Sequence, residues 1–338
     1  MLKICSLHIT NRCNNNCRHC FVDGGFKEYD EMSTSQLKSF IEQYSVLSSG
    51  QGRINVFGGE PLLREDLFEV LQFAREKGVE MELATGGTVP RDRLEKLIQA
   101  KPDYMSFDLD GGKSESHDWL RNRSGHFELM KGIIRDFSDA GLYCNVIMVV
   151  NNRNRLEVID FLEICADLHV REATFQFMNA IGRGLKIKNL VVSAKDWFAT
   201  YKTVTDWIEK NKPSFTVAWQ KAYSSAAEEI HNDEWDCKTQ DCSRIFVRAN
   251  GDVYRCALLG DSDLCVGNIK EEPLSTVMEC MHEAQYNCNK IKGCPAISYN
   301  TAGDYHVDDP RKMQDCFVAT CPRERQYFYP DYLTAVTE

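Results

Sequence analysis

From residue 3 to about residue 180 the apolar positions switch repeatedly between two periods. Short runs alternating at every second residue predict strands over 3–9, 53–57, 79–84, 103–109, 142–150 and 172–178. Runs recurring at three and four residues predict amphipathic helices near 34–48, 65–77, 91–100, 126–140 and 156–168. Ser33 or Thr34 caps the first helix, and Gly78 and Gly141 stand where helices stop. Strands and helices in alternation predict a parallel sheet with right-handed crossovers, an α/β fold. Six such units predict a partial (β/α)6 TIM-like barrel, with active-site residues at the C-terminal ends of its strands.

Residues 190–232 are charged and predict a mostly helical connector. After residue 236 the pattern breaks into short segments rich in cysteine. There RIFVR and DVYRC flank Asn250-Gly251, the pair that most strongly predicts a two-residue hairpin. The expected division is a barrel over 1–189, a connector over 190–232 and a smaller cysteine-rich α+β domain over 233–338.

Composition narrows the function. A net charge of −10 over 338 residues leaves no basic surplus for phosphate contacts and argues against a nucleic-acid partner. No apolar run approaches the ~18–20 residues of a membrane span. The N-terminal MLKICSLHITNRC enters a strand pattern directly, without a signal-peptide core, so a cytoplasmic protein is expected. Fifteen cysteines then stand out, because the cytosol disfavours structural disulfides. Cys144 and Cys165 lie in apolar periodic segments and read as core. Nine others fall within 237–321, a clustering that predicts thiolate ligation of metal.

CNNNCRHC places Cys13, Cys17 and Cys20 at C-x3-C-x2-C spacing on the loop after the first strand. Three thiolates suit three irons of a cubane and leave the fourth without a protein ligand. The alternative is zinc, which normally takes four protein ligands from paired C-x2-C halves. The spacing favours iron–sulfur.

Set after strand one of a βα series, this loop resembles the signature of the radical S-adenosylmethionine (SAM) superfamily. The resemblance implies a catalytic 4Fe-4S cluster whose open iron chelates SAM, and a 5′-deoxyadenosyl radical that abstracts hydrogen from substrate. His19 fills a position usually aromatic in that family. At the end of strand two, Gly58, Gly59, Glu60 and Pro61 resemble the family's GGE-P motif, which implies that they hold the methionine ammonium. SFDLDG followed by HDWLRNRSGHF resembles the family's strand-four segment. There Asp108 stands where serine is common, Asp110 and Gly111 match, and Arg121 falls at the arginine that pairs with the SAM carboxylate. The other reading of Arg121 is a surface helix arginine. Thr85, Gly86 and Gly87 replace the common T-N-G of strand three. Asn145 on strand five is read as either a SAM contact or a satisfied core asparagine, and AIGRG at 180–184 resembles the glycine–arginine turn after strand six.

The later cysteines resemble the SPASM extension, an auxiliary domain that carries two further four-iron clusters. With a two-residue turn, residue 256 stands opposite 245, which brings Cys256 toward Cys242. The resemblance implies one cluster on Cys237, Cys242, Cys256 and Cys321 and another on Cys280, Cys288, Cys294 and Cys316. Gln285 occupies a position where SPASM domains carry cysteine, so a single-cluster twitch arrangement stays open, as does auxiliary zinc. Cys265 is left over, either an ordinary cysteine or a hydrogen donor to a substrate radical.

Such enzymes imply oxidative modification of a ribosomally made peptide by crosslinking, oxidation or epimerisation. The alternative is a biosynthetic enzyme acting on a sugar, aminocyclitol or nucleoside. A non-enzymatic iron–sulfur electron carrier is the third class, and it has no need of a SAM pocket. An external one-electron reductant of flavodoxin or ferredoxin type is implied for either enzyme.

Overall fold

The computed structural model describes residues 1–25, 30–225, 242–260, 264–283, 317–319 and 325–330. Along the chain run β1 (Ile4–Thr10), α1 (Thr34–Leu47), β2 (Arg53–Gly58), α2 (Leu67–Glu76), β3 (Glu80–Thr85) and α3 (Arg91–Ala100). Next come β4 (Tyr104–Asp108), α4 (Ser114–Arg121), α5 (His126–Asp139), β5 (Cys144–Val150), α6 (Val158–Asp167) and β6 (Glu172–Phe177). Then follow α7 (Ala194–Asn211), β7 (Thr216–Gln220), β8 (Tyr223–Ser225), β9 (Arg244–Val247) and β10 (Asp252–Tyr254). The last are β11 (Gly267–Asn268), α8 (Leu274–Glu283), β12 (Phe317–Ala319) and β13 (Arg325–Phe328). No helix among the described residues is long and apolar enough to cross a membrane.

The chain packs as two compact units. The first takes the described residues of 1–16, 22–105 and 239–287, the second those of 17–21, 106–238 and 288–338. The fold class is the expected one, a mostly parallel sheet flanked by helices in the manner of a partial barrel.

In the first unit the strand order is β11-β10-β9-β1-β2-β3, with β1 parallel to both β2 and β9. Central β1 is covered on both faces, so polar His8 and Thr10 are buried along with Cys5, Leu7 and Ile9. Ser33 begins α1 with a capping box, its hydroxyl and the Gln36 side chain satisfying each other's backbone N–H groups. The buried Tyr44 hydroxyl of α1 donates to the carbonyls of Lys3 at 3.0 Å and Arg53 at 2.9 Å, tying the helix to the starts of β1 and β2.

The Asn250-Gly251 hairpin forms in a different register from the expected one. Val253 stands opposite Val247 and Tyr254 opposite Phe246, so residue 256 continues opposite 244 rather than 245. The turn uses three residues, because Gly251 N–H closes on the Arg248 carbonyl at 2.9 Å while Arg248 N–H reaches Asp252. Side-chain bonds among Asn250, Asp252 and Asn268 select that loop, and Gly251 takes the left-handed position with φ +91°. The parallel union of β9 with β1 was not legible from the sequence.

In the second unit the order is β4-β5-β6-β7-β13, with β5, β6 and β7 parallel and β13 antiparallel to β7. Residues 190–225 of the expected connector hold a strand as well as a helix. After α7 comes a seventh parallel strand, TVAWQ, all five of whose residues are buried. Its core is aromatic: Trp197 of α7 lies 4.3 Å from Trp219 of β7, and Phe177 meets Trp197 edge-on at 5.1 Å. Cys144 and Cys165 are fully buried as expected, and burial raises the Cys144 thiol to about 11.

His8 makes the first unit acid-sensitive. Burial, reinforced by the charge of Arg248, lowers its pKa to about 4, against an unfolded value of about 6.5. Below pH ~6.5 the unfolded chain takes up a proton here that the folded chain refuses, so this stability is lost as pH falls toward 4. His8 stacks on Phe57, so His8→Phe keeps the ring and removes the titration. Thermal unfolding midpoints of the variant are expected to fall less steeply than wild type between pH 6.5 and 4; equal slopes would contradict this.

Candidate active site

The first unit carries Cys13 on the loop that leaves β1. The loop is pinned by main-chain bonds, Cys13 N–H to the Gly25 carbonyl at 3.2 Å and Gly25 N–H to the Asn11 carbonyl at 2.8 Å. Beneath it, Glu31 accepts from the Thr10 hydroxyl and the Asn11 amide, both at 2.7 Å. Buried Arg64 reaches the Ile9 and Met32 carbonyls while paired with Asp66 at 2.7 Å. Sequence reasoning missed Arg64 and Glu31, since a charged residue in a loop carries no signal of burial.

Gly58 and Gly59 run against this loop. A Cβ on Gly59 would sit 2.1 Å from the Arg12 carbonyl oxygen, and one on Gly58 2.5 Å from that of Thr10. Gly59 N–H donates to Thr10 at 2.7 Å and Glu60 N–H to Arg12 at 2.8 Å. The glycines thus bring β2 onto the cysteine loop itself. Glu60 is fully buried, and its carboxylate accepts from Leu62 N–H at 3.1 Å, the Thr85 hydroxyl at 2.9 Å and Gly86 N–H at 2.8 Å. Pro61 is buried at the first position of a short 3-10 turn. At Gly86 a Cβ would lie 2.8 Å from the end of the Asn15 side chain.

The second unit carries Cys17 and Cys20. Arg18 N–H donates to the Leu120 carbonyl at 2.8 Å, and its guanidinium reaches Trp119 and Asn122 at the end of α4. Arg183 of the AIGRG turn donates from Nε to the Cys17 carbonyl at 2.8 Å and from its backbone to Cys20 at 2.9 Å. Asp110 is the hub of this side. Its Oδ1 accepts from Val149 N–H at 2.9 Å, and its Oδ2 lies 2.5 Å from Arg121 and 3.6 Å from His19. Arg121 also pairs with Asp108 at 3.0 Å and donates from Nη1 to Cys17 Sγ at 3.7 Å. Burial opposes its charge, but Asp108, Asp110 and Cys17 more than offset that, so it stays protonated. Arg121 is thus a buried helix residue rather than a surface one.

The imidazoles here are neutral. Burial and then Arg121 lower His19 to about 3 and His117 to about 2. Asp110 N–H donates to His117 Nδ1 at 2.9 Å, so His117 carries its proton on Nε2 and gives it to His126 Nδ1 at 2.8 Å. The histidines were visible in HDWLRNRSGHF, but nothing in the spacing revealed that they stack.

Other expected residues are placed elsewhere. Asn145 is the second residue of β5, four residues and roughly 13 Å before the Val149 that bonds Asp110. Its amide oxygen accepts the Thr174 hydroxyl at 2.9 Å, so it is a satisfied core asparagine at the far end of the strand. Cys265 is exposed, its thiol 3.3 Å from the Gly267 carbonyl. Cys242 is buried with Sγ 3.8 Å from the Met281 carbonyl, Cys256 is half-buried, and Cys280 is exposed on α8. Cys237, Cys288, Cys294, Cys316 and Cys321 lie outside the described residues.

The residues fit the groups that the motifs imply. Both described sulfur contacts in the loop are acceptor contacts suited to thiolate, Asn15 N–H to Cys13 Sγ at 3.4 Å and Arg121 to Cys17 Sγ. Arg121 Nε is buried with no hydrogen-bond partner among the described residues, a donor of the kind a carboxylate takes. Among the described residues no group of three or more His, Cys, Asp or Glu side chains forms a ready-made single-ion site.

A sequence model of the Radical SAM superfamily matches residues 7–165. The chain is 27% identical to the AdoMet-dependent heme synthase of Methanosarcina barkeri (strain Fusaro / DSM 804), over 91% of this chain and 95% of that one. It is 25% identical to the sporulation killing factor maturation protein SkfB of Bacillus subtilis (strain 168), over 87% of this chain and 68% of that one. In three dimensions it resembles Streptococcus suis SuiB bound to its precursor peptide SuiA, with a TM-score of 0.72 and 16% identity over 94% of this chain and 76% of that one.

Gly59→Ala tests the backbone contact. Its Cβ cannot be accommodated against the Arg12 carbonyl, so the loop must shift at a cost of ~1–3 kcal/mol. Iron retained after anaerobic reconstitution is expected to drop, whereas Gly25→Ala, whose Cβ meets nothing within 4 Å, is expected to load like wild type. Full iron loading of Gly59→Ala would contradict the account.

Proposed function

Because this chain is a radical SAM enzyme, a member of the superfamily whose domain spans residues 7–165, we propose that Cys13, Cys17 and Cys20 hold a 4Fe-4S cluster used for oxidative modification of a ribosomally made peptide. When bound together, cluster and SAM supply a 5′-deoxyadenosyl radical that removes a hydrogen atom from substrate. The observation carrying this reading is the pair of N–H donors on the Cys13 and Cys17 sulfurs, set in a loop whose backbone is fixed at both ends. Glu60 supplies negative charge for the methionine ammonium, its buried carboxylate oriented by Leu62, Thr85 and Gly86. Arg121 supplies the donor for the methionine carboxylate, and Asp110 fixes its orientation. Gly58 and Gly59 keep the end of β2, from which Glu60 is presented, against the cysteine loop.

The proposal extends to the C-terminal cysteines. Cys237, Cys242, Cys256 and Cys321 hold one auxiliary cluster and Cys280, Cys288, Cys294 and Cys316 a second, within a SPASM-like domain over 233–338 that follows a barrel over 1–189 and a connector over 190–232. Auxiliary clusters held there would supply an electron acceptor, and a flavodoxin- or ferredoxin-type protein would be the external reductant. Cys265 is the candidate hydrogen donor should the reaction be redox-neutral. Likeness to SkfB and to the fold of SuiB supports the peptide reading. A second reading, a small-molecule oxidase or decarboxylase, draws support from the heme synthase relative, which matches over nearly the full length of both chains.

Anaerobic, reconstituted protein with SAM and dithionite tests the reading. We expect 5′-deoxyadenosine from wild type and at least a hundred-fold less from the triple Cys13→Ala, Cys17→Ala, Cys20→Ala variant. Deuterium transfer into deoxyadenosine from a labelled candidate peptide supports the first substrate class, and transfer from a labelled tetrapyrrole supports the second. Equal deoxyadenosine from wild type and the triple variant would refute the cluster assignment.

A further inference from the structure

The geometry points to Arg121 as the residue that sets the reduction potential of the Cys13/Cys17/Cys20 cluster through its N–H bond to Cys17, an inference that rests on the cluster assignment above. Cys17 is buried, and a guanidinium nitrogen stands 3.7 Å from its sulfur. Hydrogen bonds to ligand sulfurs, burial and nearby charge govern such potentials. Reduction adds one electron, supplied by an external low-potential donor, and places more negative charge on the sulfurs. An N–H donor and a cation at that sulfur favour the reduced form, and the low local dielectric magnifies the effect.

The arginine is not alone. Asp108 and Asp110 hold the same guanidinium at 3.0 and 2.5 Å, so two carboxylates oppose one cation. Asp110 is fully buried and fixed by Val149, which locks the direction in which Arg121 presents its donor. Asp108 is a third exposed and carries the adjustable part of the negative charge. Cys13, in contrast, takes a backbone donor from Asn15, which no side-chain substitution removes. Arg121 is therefore a side-chain lever on the electron-accepting state, and the Asp108 position tunes it in the opposite sense.

Potentiometric titration with dithionite, followed by the EPR signal of the reduced cluster and run without SAM, separates this role from any contact Arg121 makes to SAM. Arg121→Gln is expected to move the midpoint to more negative potential, and Asp108→Asn to more positive potential, at unchanged iron content. A merely structural role moves neither. Unchanged midpoints in folded, fully loaded variants would overturn the inference; should Arg121→Gln fail to fold, Asp108→Asn decides alone. No cubane signal in the wild-type protein would instead overturn the cluster assignment.

Discussion

At Gly59 the chain has no room for a side chain. Its amide and that of Glu60 bond to the carbonyls of Thr10 and Arg12, and a Cβ would stand 2.1 Å from the Arg12 oxygen. That contact extends the β1–β2 pairing past its last ladder position and sets where the loop to Cys13 begins. Glu60 follows directly, and its buried carboxylate organises the 61–63 turn and the end of β3 through Leu62, Thr85 and Gly86. One absent side chain therefore aligns the cysteine loop, a carboxylate and a third strand end.

The stretch carrying Cys17 and Cys20 depends on a second buried carboxylate. An isolated charge at Asp110 would be strongly penalised by burial, and a buried pair stays costly unless its remaining acceptor sites are filled. Here Val149 donates to one oxygen, while the other is held by the charge of Arg121 at 2.5 Å, with no hydrogen bond to it among the described residues. Removing either partner of such a pair typically costs about 3–5 kcal/mol. The stacked His117 and His126 hold the Asp110 backbone in the same place, and both stay in one tautomeric arrangement because His117 resists protonation. The chemistry and the fold thus share residues, and the charges that hold the loop also set the electrostatics felt by its sulfurs.

Strands and helices up to residue 180 were legible because each buries a regular face. The notable miss there is α4, eight residues with a polar start and few apolar positions. Cys13, Cys17, Cys20, Gly58 to Pro61, Asp110 and Arg121 could be singled out as candidates by spacing, since the motif they resemble is a pattern of residue types at fixed intervals. What spacing could not reveal was pairing. Nothing in the sequence says that Asp108 and Asp110 share one guanidinium, that Arg64 and Glu31 brace β1, or that β9 docks beside β1. Those facts depend on contacts between distant segments. Asn145 shows the converse error: inward alternation is a property of the whole strand, whereas a site occupies one end of it. TVAWQ was absorbed into its charged helical neighbourhood because five residues are too few for a period to assert itself.

The central claim is that the loop holds a cubane with one iron open to SAM. The EPR spectrum of the dithionite-reduced protein, recorded with and without SAM and compared with the loop-cysteine variant, tests it directly. The account predicts a reduced-cluster signal that changes shape when SAM is added and whose SAM-responsive part disappears in the variant. A signal indifferent to SAM, or one that survives loss of Cys13, Cys17 and Cys20 unchanged, would contradict it.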